Sequence, residues 1–357
     1  MDTANLPQRL VSRLADGLSA AFGRRKDSFH MKFSDIIGQN AVKTHLMTAV
    51  EQGKVSQAYI ISGEKGSGKK MMANAFAAYL LCSDRHGDAC GQCPSCTKLA
   101  HGNHPDVIYV THEKTAITVD DIREQITGTV DIRPYESEKK VYIVDEAEKM
   151  NLEAQNAILK TLENPPEYVV ILLLTENAWA FLPTILSRCV RLDLKPLPEK
   201  TIEDYLMKNL GQPDYMASLY AHFAQGNLGK AVTAASDEDF RTRRGAVVDL
   251  VKNISGQPFY QYERAAEELA TDKGAIPDYL DLISLWYRDV LLYKAARADD
   301  RLCYSDEAYA IRGAAENLTY DRLNRIFDAI ETSRAKAAAN VRADVVLTDL
   351  FALMAAK

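Results

Sequence analysis

The feature that most constrains the fold of this chain is a glycine-rich loop between an apolar segment and a helix-forming one. The loop GEKGSGKK, which begins at Gly63, follows AYIIS (58–62) and opens KKMMANAFAAYLL (69–81). Glycines in such a loop let backbone N–H groups turn toward phosphate oxygens, and the lysine, here Lys69, reaches the outer phosphates. The loop therefore predicts an α/β domain that binds phosphate. Its candidate residues are Gly63, Gly66, Gly68, Lys69 and Lys70.

The last diagnostic position of this loop carries a residue that cannot hold a metal ion. A serine or threonine normally stands there and binds Mg²⁺ through its hydroxyl group. The ammonium group of Lys70 has no lone pair to give. The loop is therefore expected to hold ATP or ADP without hydrolysing it.

A pair of acidic residues, Asp145 and Glu146, ends the apolar segment KVYIVD (140–145). Nucleotide hydrolases place a metal-associated aspartate and a water-activating glutamate at this point. Alternatively, the two carboxylates cap the following helix, whose positive N-terminal dipole favours them. We take the nucleotide site as the origin of the motif and capping as its present role.

Four cysteines within a short segment predict a structural zinc site. Two successive C-x2-C steps follow a first cysteine, and four thiolates suit a closed tetrahedral Zn²⁺ site with no open position. Free thiols are the alternative. We expect the nearby His86, His101 and His104 to lie on the surface or to pack, rather than to bind the metal. The candidate ligands in this knuckle (82–96) are Cys82, Cys90, Cys93 and Cys96.

The hydrophobic pattern divides the chain into three blocks. Short apolar strands alternate with amphipathic helices over residues 31–196, as an α/β domain with a mainly parallel sheet requires. Strand signals then stop: residues 197–236 form a small helical unit and residues 237–357 a larger helical bundle. The predicted strands are 58–62, 107–110, 140–145 and 169–175.

Two parts of the chain leave alternatives open. Residues 1–30 are interpreted as a mobile extension or an upstream start before Met31, and a docked helix is the alternative. In the bundle, Leu285 and Trp286 serve either the protein's own core or its partners. The pattern alone does not separate these roles.

Charge and hydropathy restrict the function classes. The longest apolar runs, such as VVILLL (169–174), fall far short of the ~18 residues that a membrane span requires, which indicates a soluble protein. A net charge of -6 argues against a chain that coats nucleic acid by itself, so any DNA contact is expected to be shared with partners. Clustered cysteines favour a metal site in a reducing cytoplasm over a disulfide framework.

Several motifs in a fixed order resemble those of a known family. The chain contains FSDIIGQ, GEKGSGKK, the four-cysteine insertion, GNHPD, VYIVDEAEKMNLEAQNAILKTLENPP and LPTILSRC. Together they resemble the delta-prime subunits of the bacterial DNA polymerase III clamp loader. The resemblance runs from about Phe33 to the end, where WYRDVLLYK and AAANVRADVVLTDLF are also similar, and it leaves residues 1–30 outside.

The resemblance implies an architecture and a role. The α/β block is expected to be an AAA+ P-loop domain with a parallel sheet and a zinc-knuckle insertion, followed by a helical lid (197–236) and an all-α collar (237–357). Such a subunit helps to open the sliding clamp and to load it onto primed DNA, beside the gamma/tau ATPase subunits and delta. The expected location is the bacterial cytoplasm, at the replisome on the nucleoid, within the DNA polymerase III holoenzyme.

The resemblance also gives Arg188, in the Ser-Arg-Cys motif, a role in trans. A matching arginine in the family projects into the ATP site of the neighbouring subunit, where a planar guanidinium stabilises charge on the transferred phosphoryl group. The alternative is an arginine at a helix end that satisfies carbonyl groups or pairs with a local carboxylate.

Two departures from an active AAA+ ATPase favour a chain without ATPase activity in isolation. Besides Lys70, Gly229 stands where active relatives present a lid arginine, although Lys230 is adjacent. Thr175 is a candidate water-positioning or capping residue after its strand. The alternative function is an active AAA+ ATPase, either the motor subunit of the loader or another remodeller. A zinc-dependent nucleic-acid binder is disfavoured by the knuckle's charge and its lack of interleaved aromatic residues.

Overall fold

The computed structural model describes residues 32–112 and 115–356, apart from the side chains of Lys273 and Asp300. The predicted N-terminal extension (1–30) lies outside the described residues. The chain divides after Lys195 into two compact units, which are called here the first and the second unit. This boundary lies one residue from the predicted end of the α/β block.

The first unit is built on a five-stranded sheet in the order β2-β3-β4-β1-β5, with every pairing parallel. Strands β1, β3 and β4 are buried along their whole length, as their unbroken apolar sequences predict. The fifth strand, which the sequence analysis did not predict, is short and only partly buried at the sheet edge. The strands are β1 (Ala58–Ser62), β2 (Val107–Val110), β3 (Lys140–Val144), β4 (Val169–Thr175) and β5 (Val190–Asp193).

Helices connect these parallel strands and cover the sheet. The helix α2 begins directly after Gly68 and buries eleven of its 13 residues, so it lies in the core. The helix that begins after Thr118 starts with a capping box, which Thr118 and Asp121 form. The helices of the first unit are α1 (Asn40–Glu51), α2 (Lys69–Leu81), α3 (Pro94–Ala100), α4 (Val119–Ile122), α5 (Leu152–Glu163) and α6 (Pro183–Leu186).

The strand order places three candidate segments at one edge of the sheet. Since β4 pairs in parallel with both β1 and β3, the carboxyl ends of all three strands meet there. The phosphate loop follows β1, Asp145 follows β3, and Thr175 ends β4. Ligands of open α/β sheets bind outside the carboxyl ends of the strands, so this edge is the candidate site.

The GNHPD segment explains how the loop before β3 is held. Asp106 is 1% exposed, and its carboxylate accepts hydrogen bonds from the backbone N–H groups of Tyr135, Glu136 (3.0 Å) and Ser137 (2.9 Å). His104 is also buried, and its Nδ1 accepts from the N–H of Asp106 at 3.1 Å. The motif therefore has a structural role in the first unit.

Replacing Asp106 with asparagine is expected to lower the free energy of unfolding by about 2–3 kcal/mol, because hydrogen bonds to a charged acceptor are lost or weakened. Urea denaturation followed by circular dichroism measures the change. Asp131→Asn is the control, since Asp131 is an exposed carboxylate in the same loop. Equal stability of the two variants would contradict this role.

The second unit is helical throughout its described residues and has one continuous hydrophobic core. Trp286 is 2% exposed and meets Tyr304 edge to face at 5.4 Å, and Leu285 is also buried, so both predicted collar residues serve the core of this chain. No helix among the described residues is both long and apolar enough to cross a membrane. The helices of the second unit are α7 (Glu199–Leu210), α8 (Asp214–Ala224), α9 (Leu228–Ser236), α10 (Glu238–Asn253), α11 (Phe259–Leu269), α12 (Ile276–Ala296), α13 (Ala308–Asn317), α14 (Tyr320–Ala338) and α15 (Ala343–Ala355).

Candidate functional site

The phosphate loop adopts a backbone that its glycines permit. Gly66 and Gly68 have φ values of 86° and 93°, in the left-handed region that side chains disfavour. A Cβ atom on Gly63 would lie 2.7 Å from Ser67 Oγ and 3.2 Å from Leu194 Cβ, so the turn has no room for one. The three predicted glycines therefore shape the loop.

Lys69 lies inside the loop rather than in solvent. The residue is 9% exposed, and its Nζ donates hydrogen bonds to the carbonyl oxygens of Gly63 (2.7 Å) and Glu64 (3.0 Å). This position, at the start of α2, gathers a positive charge and free backbone N–H groups at one point. The loop thus retains the chemistry needed to bind an anion.

Lys70 forms an ion pair with the acidic residue that follows β3. Its Nζ lies 3.4 Å from Asp145 Oδ2, and both side chains are partly exposed. The P-loop fold implies Mg²⁺ at this point, held by a hydroxyl group and by the aspartate. Here an ammonium group replaces the hydroxyl and takes up the carboxylate. The residues present therefore do not fit Mg²⁺.

Glu146, the second residue of the acidic pair, is held by contacts with nearby residues. Its φ of 49° is left-handed, and its Oε2 accepts a hydrogen bond of 2.6 Å from Lys149 Nζ. That bond holds the pKa of Glu146 below its usual value. His112 Nε2 lies 3.9 Å from the same oxygen. Of the two carboxylates predicted to cap the following helix, Glu146 makes no side-chain capping hydrogen bond, whereas Asp145 Oδ1 accepts one of 3.1 Å from the backbone N–H of Glu146.

Thr175 is fully buried at the end of β4, and its hydroxyl serves the following turn. Thr175 Oγ1 accepts a hydrogen bond of 3.0 Å from the backbone N–H of Asn177. This geometry matches the capping interpretation, although the residue lies in the core and not at the surface.

Arg188 lies between α6 and β5 and makes three hydrogen bonds within its own unit. Its Nη2 donates to Glu163 Oε1 at 3.0 Å, and its Nη1 donates to the carbonyl oxygen of Thr184 (2.9 Å) and to Ser187 Oγ (3.3 Å). The side chain is 35% exposed and that of Glu163 is 48% exposed. The local carboxylate of the alternative interpretation is therefore present, and the guanidinium remains accessible from outside.

Glu163 lies within the motif VYIVDEAEKMNLEAQNAILKTLENPP, whose sequence alone assigns it no role. Pro165 and Pro166 stop α5 just beyond it, so the signal for its position at a helix end was available. Its pairing with Arg188, 25 residues along the chain, was not.

The four cysteines come together as their spacing predicts. Their sulfur atoms all lie within 4.8 Å of one another, with Cys82 and Cys93 at 3.9 Å and Cys90 and Cys96 at 4.0 Å. A tetrahedron with Zn–S bonds of about 2.3 Å has edges of about 3.8 Å, so the cluster has the size of a zinc site. None of the four is in a disulfide. His86, His101 and His104 lie outside the cluster among the described residues, as predicted.

Backbone N–H groups support the sulfur atoms of the cluster. The N–H groups of Cys90, Cys93 and Cys96 donate to the sulfurs of Cys82, Cys90 and Cys93 at 3.2–3.4 Å. Burial raises the pKa of Cys93. Hydrogen bonds from the backbone N–H of Cys96 and from the backbone and side chain of Ser83 outweigh burial and lower that pKa to about 6.

Cys96 is the member of the cluster whose thiol is hardest to ionise. Burial and the neighbouring Cys93 and Cys82 thiols raise its pKa, so four thiolates cannot coexist here without a cation. The donor set therefore fits Zn²⁺ with Cys82, Cys90, Cys93 and Cys96 as ligands. Bound zinc would supply no chemistry beyond joining α3 to the end of α2.

Lys230, which the sequence analysis weighed as a substitute for a lid arginine, is engaged within the second unit. Its Nζ lies 2.6 Å from Asp281 Oδ2 and 4.3 Å from the centre of the Phe223 ring. Asp281 is 6% exposed and also pairs with Arg334. The ammonium of Lys230 therefore balances a buried carboxylate on α12.

A phosphate loop after the strand β1, an acidic pair after β3 and the intervening β4 of a parallel sheet define this protein as a member of the P-loop class. A family model described as "DNA polymerase III, delta subunit" matches residues 38–198.

Curated relatives narrow the class to a family. The DNA polymerase III subunit delta' of Pseudomonas aeruginosa is 33% identical over 261 residues, which cover 70% of this chain and 76% of that protein. Subunit delta' of Bacillus subtilis is 29% identical over 322 residues, which cover 88% of this chain and 96% of that protein. The chain belongs to the delta-prime family of DNA polymerase III subunits.

Similarity also extends to other DNA polymerase III subunits, over smaller shares of their length or at lower identity. Subunit tau/gamma of Haemophilus influenzae is 33% identical over 232 residues, which cover 63% of this chain and 33% of that protein. Among solved structures, a DNA polymerase III gamma subunit-related protein of Thermotoga maritima is 20% identical, with a TM-score of 0.44 over 87% of this chain and 98% of that one.

Proposed function

We propose that this chain is a clamp loader subunit that hydrolyses no ATP itself and donates Arg188 to the ATP site of a neighbouring ATPase subunit. It helps to open the ring-shaped sliding clamp and to load it onto primed DNA. Its partners in this role are the gamma/tau ATPase subunits and delta. Membership of the delta-prime family supports the loader assignment.

The observation that carries the absence of hydrolysis is the ion pair between Lys70 and Asp145. Hydrolysis in P-loop proteins requires a metal ion that bridges phosphate oxygens and neutralises the charge that develops on them. Lys70 supplies no metal ligand, and it engages the carboxylate that would otherwise serve one. Gly229, in place of a lid arginine, points the same way.

Three properties of Arg188 support its proposed role in trans. Its side chain is 35% exposed, so a neighbouring subunit can reach it. Its Nη1 is anchored by Thr184 and Ser187, which limits the freedom of the long side chain. Its planar guanidinium matches the oxygens of a phosphoryl group. In this proposal Arg188 pairs with Glu163 when no neighbouring nucleotide is in reach, and a phosphate group of that nucleotide then replaces Glu163 as its partner.

The three-domain division belongs to the same proposal. The α/β domain (31–196) carries the loop, the arginine and a zinc-stabilised knuckle. The helices of residues 197–236 form a lid, and those of residues 237–357 form a collar that joins the other subunits. The single hydrophobic core of residues 202–355 supports a lid and collar that pack as one body.

The purified chain is expected to turn over no ATP beyond the level of Lys69→Ala, which serves as the control for contaminating ATPases. The physical reason is the missing metal ligand at position 70. Phosphate release measured on the unmodified chain, on Lys69→Ala and on Lys70→Thr gives the answer. Lys70→Thr restores the hydroxyl but leaves Gly229 unchanged, so we expect at most slow turnover from it.

Turnover by the unmodified chain that Lys69→Ala abolishes would contradict the proposal. The metal would then be held by other residues, and the subunit would be a motor.

A further inference from the structure

The phosphate loop combines an intact anion cradle with a positive charge, that of Lys70, at the metal position. The cradle consists of the buried Lys69 and the left-handed Gly66 and Gly68. Nothing in this half of the site requires a metal ion.

The other half of the site already contains its cation. In an active P-loop protein the metal ion brings two positive charges to the aspartate and the outer phosphates. Here Lys70 brings one, tethered to α2 and 3.4 Å from Asp145. Its ammonium can donate hydrogen bonds to Asp145 and to a phosphate oxygen at once, because it has three N–H donors.

We propose that the loop binds the phosphates of a nucleoside di- or triphosphate free of metal, with Lys70 in place of Mg²⁺. A nucleotide that carries Mg²⁺ brings a second cation next to the Lys70 ammonium, and two neighbouring positive charges repel each other strongly. Mg²⁺ therefore weakens nucleotide binding to this chain, whereas it strengthens binding to a hydrolysing P-loop protein.

This inference deepens the proposed function, since it names the ligand of the loop that does not hydrolyse ATP. It stands on contacts within this chain, and it is tested on the isolated protein. The role of Arg188 is tested on the assembled loader, so either proposal can fail while the other holds.

Calorimetric titration of the full chain with ADP, with and without millimolar Mg²⁺, tests the proposal. The buffer is freed of divalent metal with a chelating resin instead of EDTA, because EDTA would compete for zinc at the cysteine cluster. The ionic strength of the Mg²⁺-free arm is matched with KCl, since salt alone weakens charge interactions. We expect ADP to bind at least about tenfold more weakly when Mg²⁺ is present.

Three variants identify the site and the sign of the effect. Lys69→Ala abolishes ADP binding in both buffers. Lys70→Met keeps the length of the side chain without its charge, so it loses affinity in the Mg²⁺-free buffer and loses the tenfold penalty. Lys70→Thr reverses the sign, and ADP then binds more tightly with Mg²⁺.

Three results would overturn the proposal. They are ADP binding that requires Mg²⁺ in the unmodified chain, no ADP binding in the Mg²⁺-free buffer, and ADP binding that survives Lys69→Ala.

Discussion

Arg188→Ala is expected to lower the ATP turnover of the assembled loader by about 10³-fold, because an arginine supplied in trans stabilises the charge of the transition state. The measurement is steady-state phosphate release by a loader reconstituted with the variant, with clamp and primed DNA present. Arg188→Lys keeps the charge but loses the planar fork, so it is expected to recover only a small part of the rate.

The substitution should leave folding and assembly intact. Arg188 and Glu163 form a partly exposed ion pair, and pairs of this kind contribute about 0–1 kcal/mol to stability. Arg191→Ala is the matched control, since Arg191 lies three residues further along and stacks on Trp179 at 5.0 Å. The control loader is expected to keep its turnover.

Unchanged turnover in an assembled Arg188→Ala loader would reduce Arg188 to the local partner of Glu163. An equal loss from Arg191→Ala would mean that the whole segment before and within β5 acts through assembly and not through the ATP site.

Cys93→Ser is expected to release the zinc and to destabilise the first unit by about 4 kcal/mol, which lowers its unfolding midpoint by roughly 10 °C. Structural zinc contributes more than this in small domains that have no other core, but the knuckle rests on a sheet domain with its own core. Metal analysis and thermal unfolding of the same samples give both quantities. The unmodified chain should contain one zinc ion per molecule.

Serine is the informative substitution at this position. The Cys93 side chain caps α3 by accepting a hydrogen bond from the N–H of Cys96, and a serine hydroxyl also caps helices well. The capping contact is therefore kept while the thiolate ligand is lost. Cys189→Ala is the control, because Cys189 lies outside the cluster and should leave the zinc content unchanged. Purified protein without zinc would remove the assignment.

Local pattern was enough to predict most of the first unit. The strands β1, β2 and β4 occupy the predicted residues, and β3 ends one residue earlier, at Val144. These strands can be predicted from the sequence because strands buried on both faces are almost wholly apolar. The edge strand β5 contains Arg191 and Asp193, so its composition hides it. The cysteine cluster was predictable because its ligands are close in sequence.

Contacts between distant polar residues could not be predicted in this way. The pairing of Lys70 with Asp145 depends on the strand order, which brings the ends of β1 and β3 to one edge of the sheet with β4 between them. The pairing of Arg188 with Glu163 depends on where α5 and α6 end relative to each other. Neither arrangement leaves a periodic signal in the chain. Lys230 was considered as a phosphate ligand because it is adjacent to Gly229, and its pairing with Asp281, 51 residues away, could not be predicted from the pattern.

The helix α2 connects the phosphate loop with the cysteine cluster. The loop precedes its first residue, and the first cysteine of the cluster follows its last. Helices usually fray from their ends, where backbone groups lack partners. This one has its first turn enclosed by a glycine loop and its last residue adjoining Cys82 of the cysteine cluster, with a buried body of about 20 Å between them. We therefore expect both ends of the helix to resist fraying, and a change at the cysteine cluster to shift the phosphate loop as well.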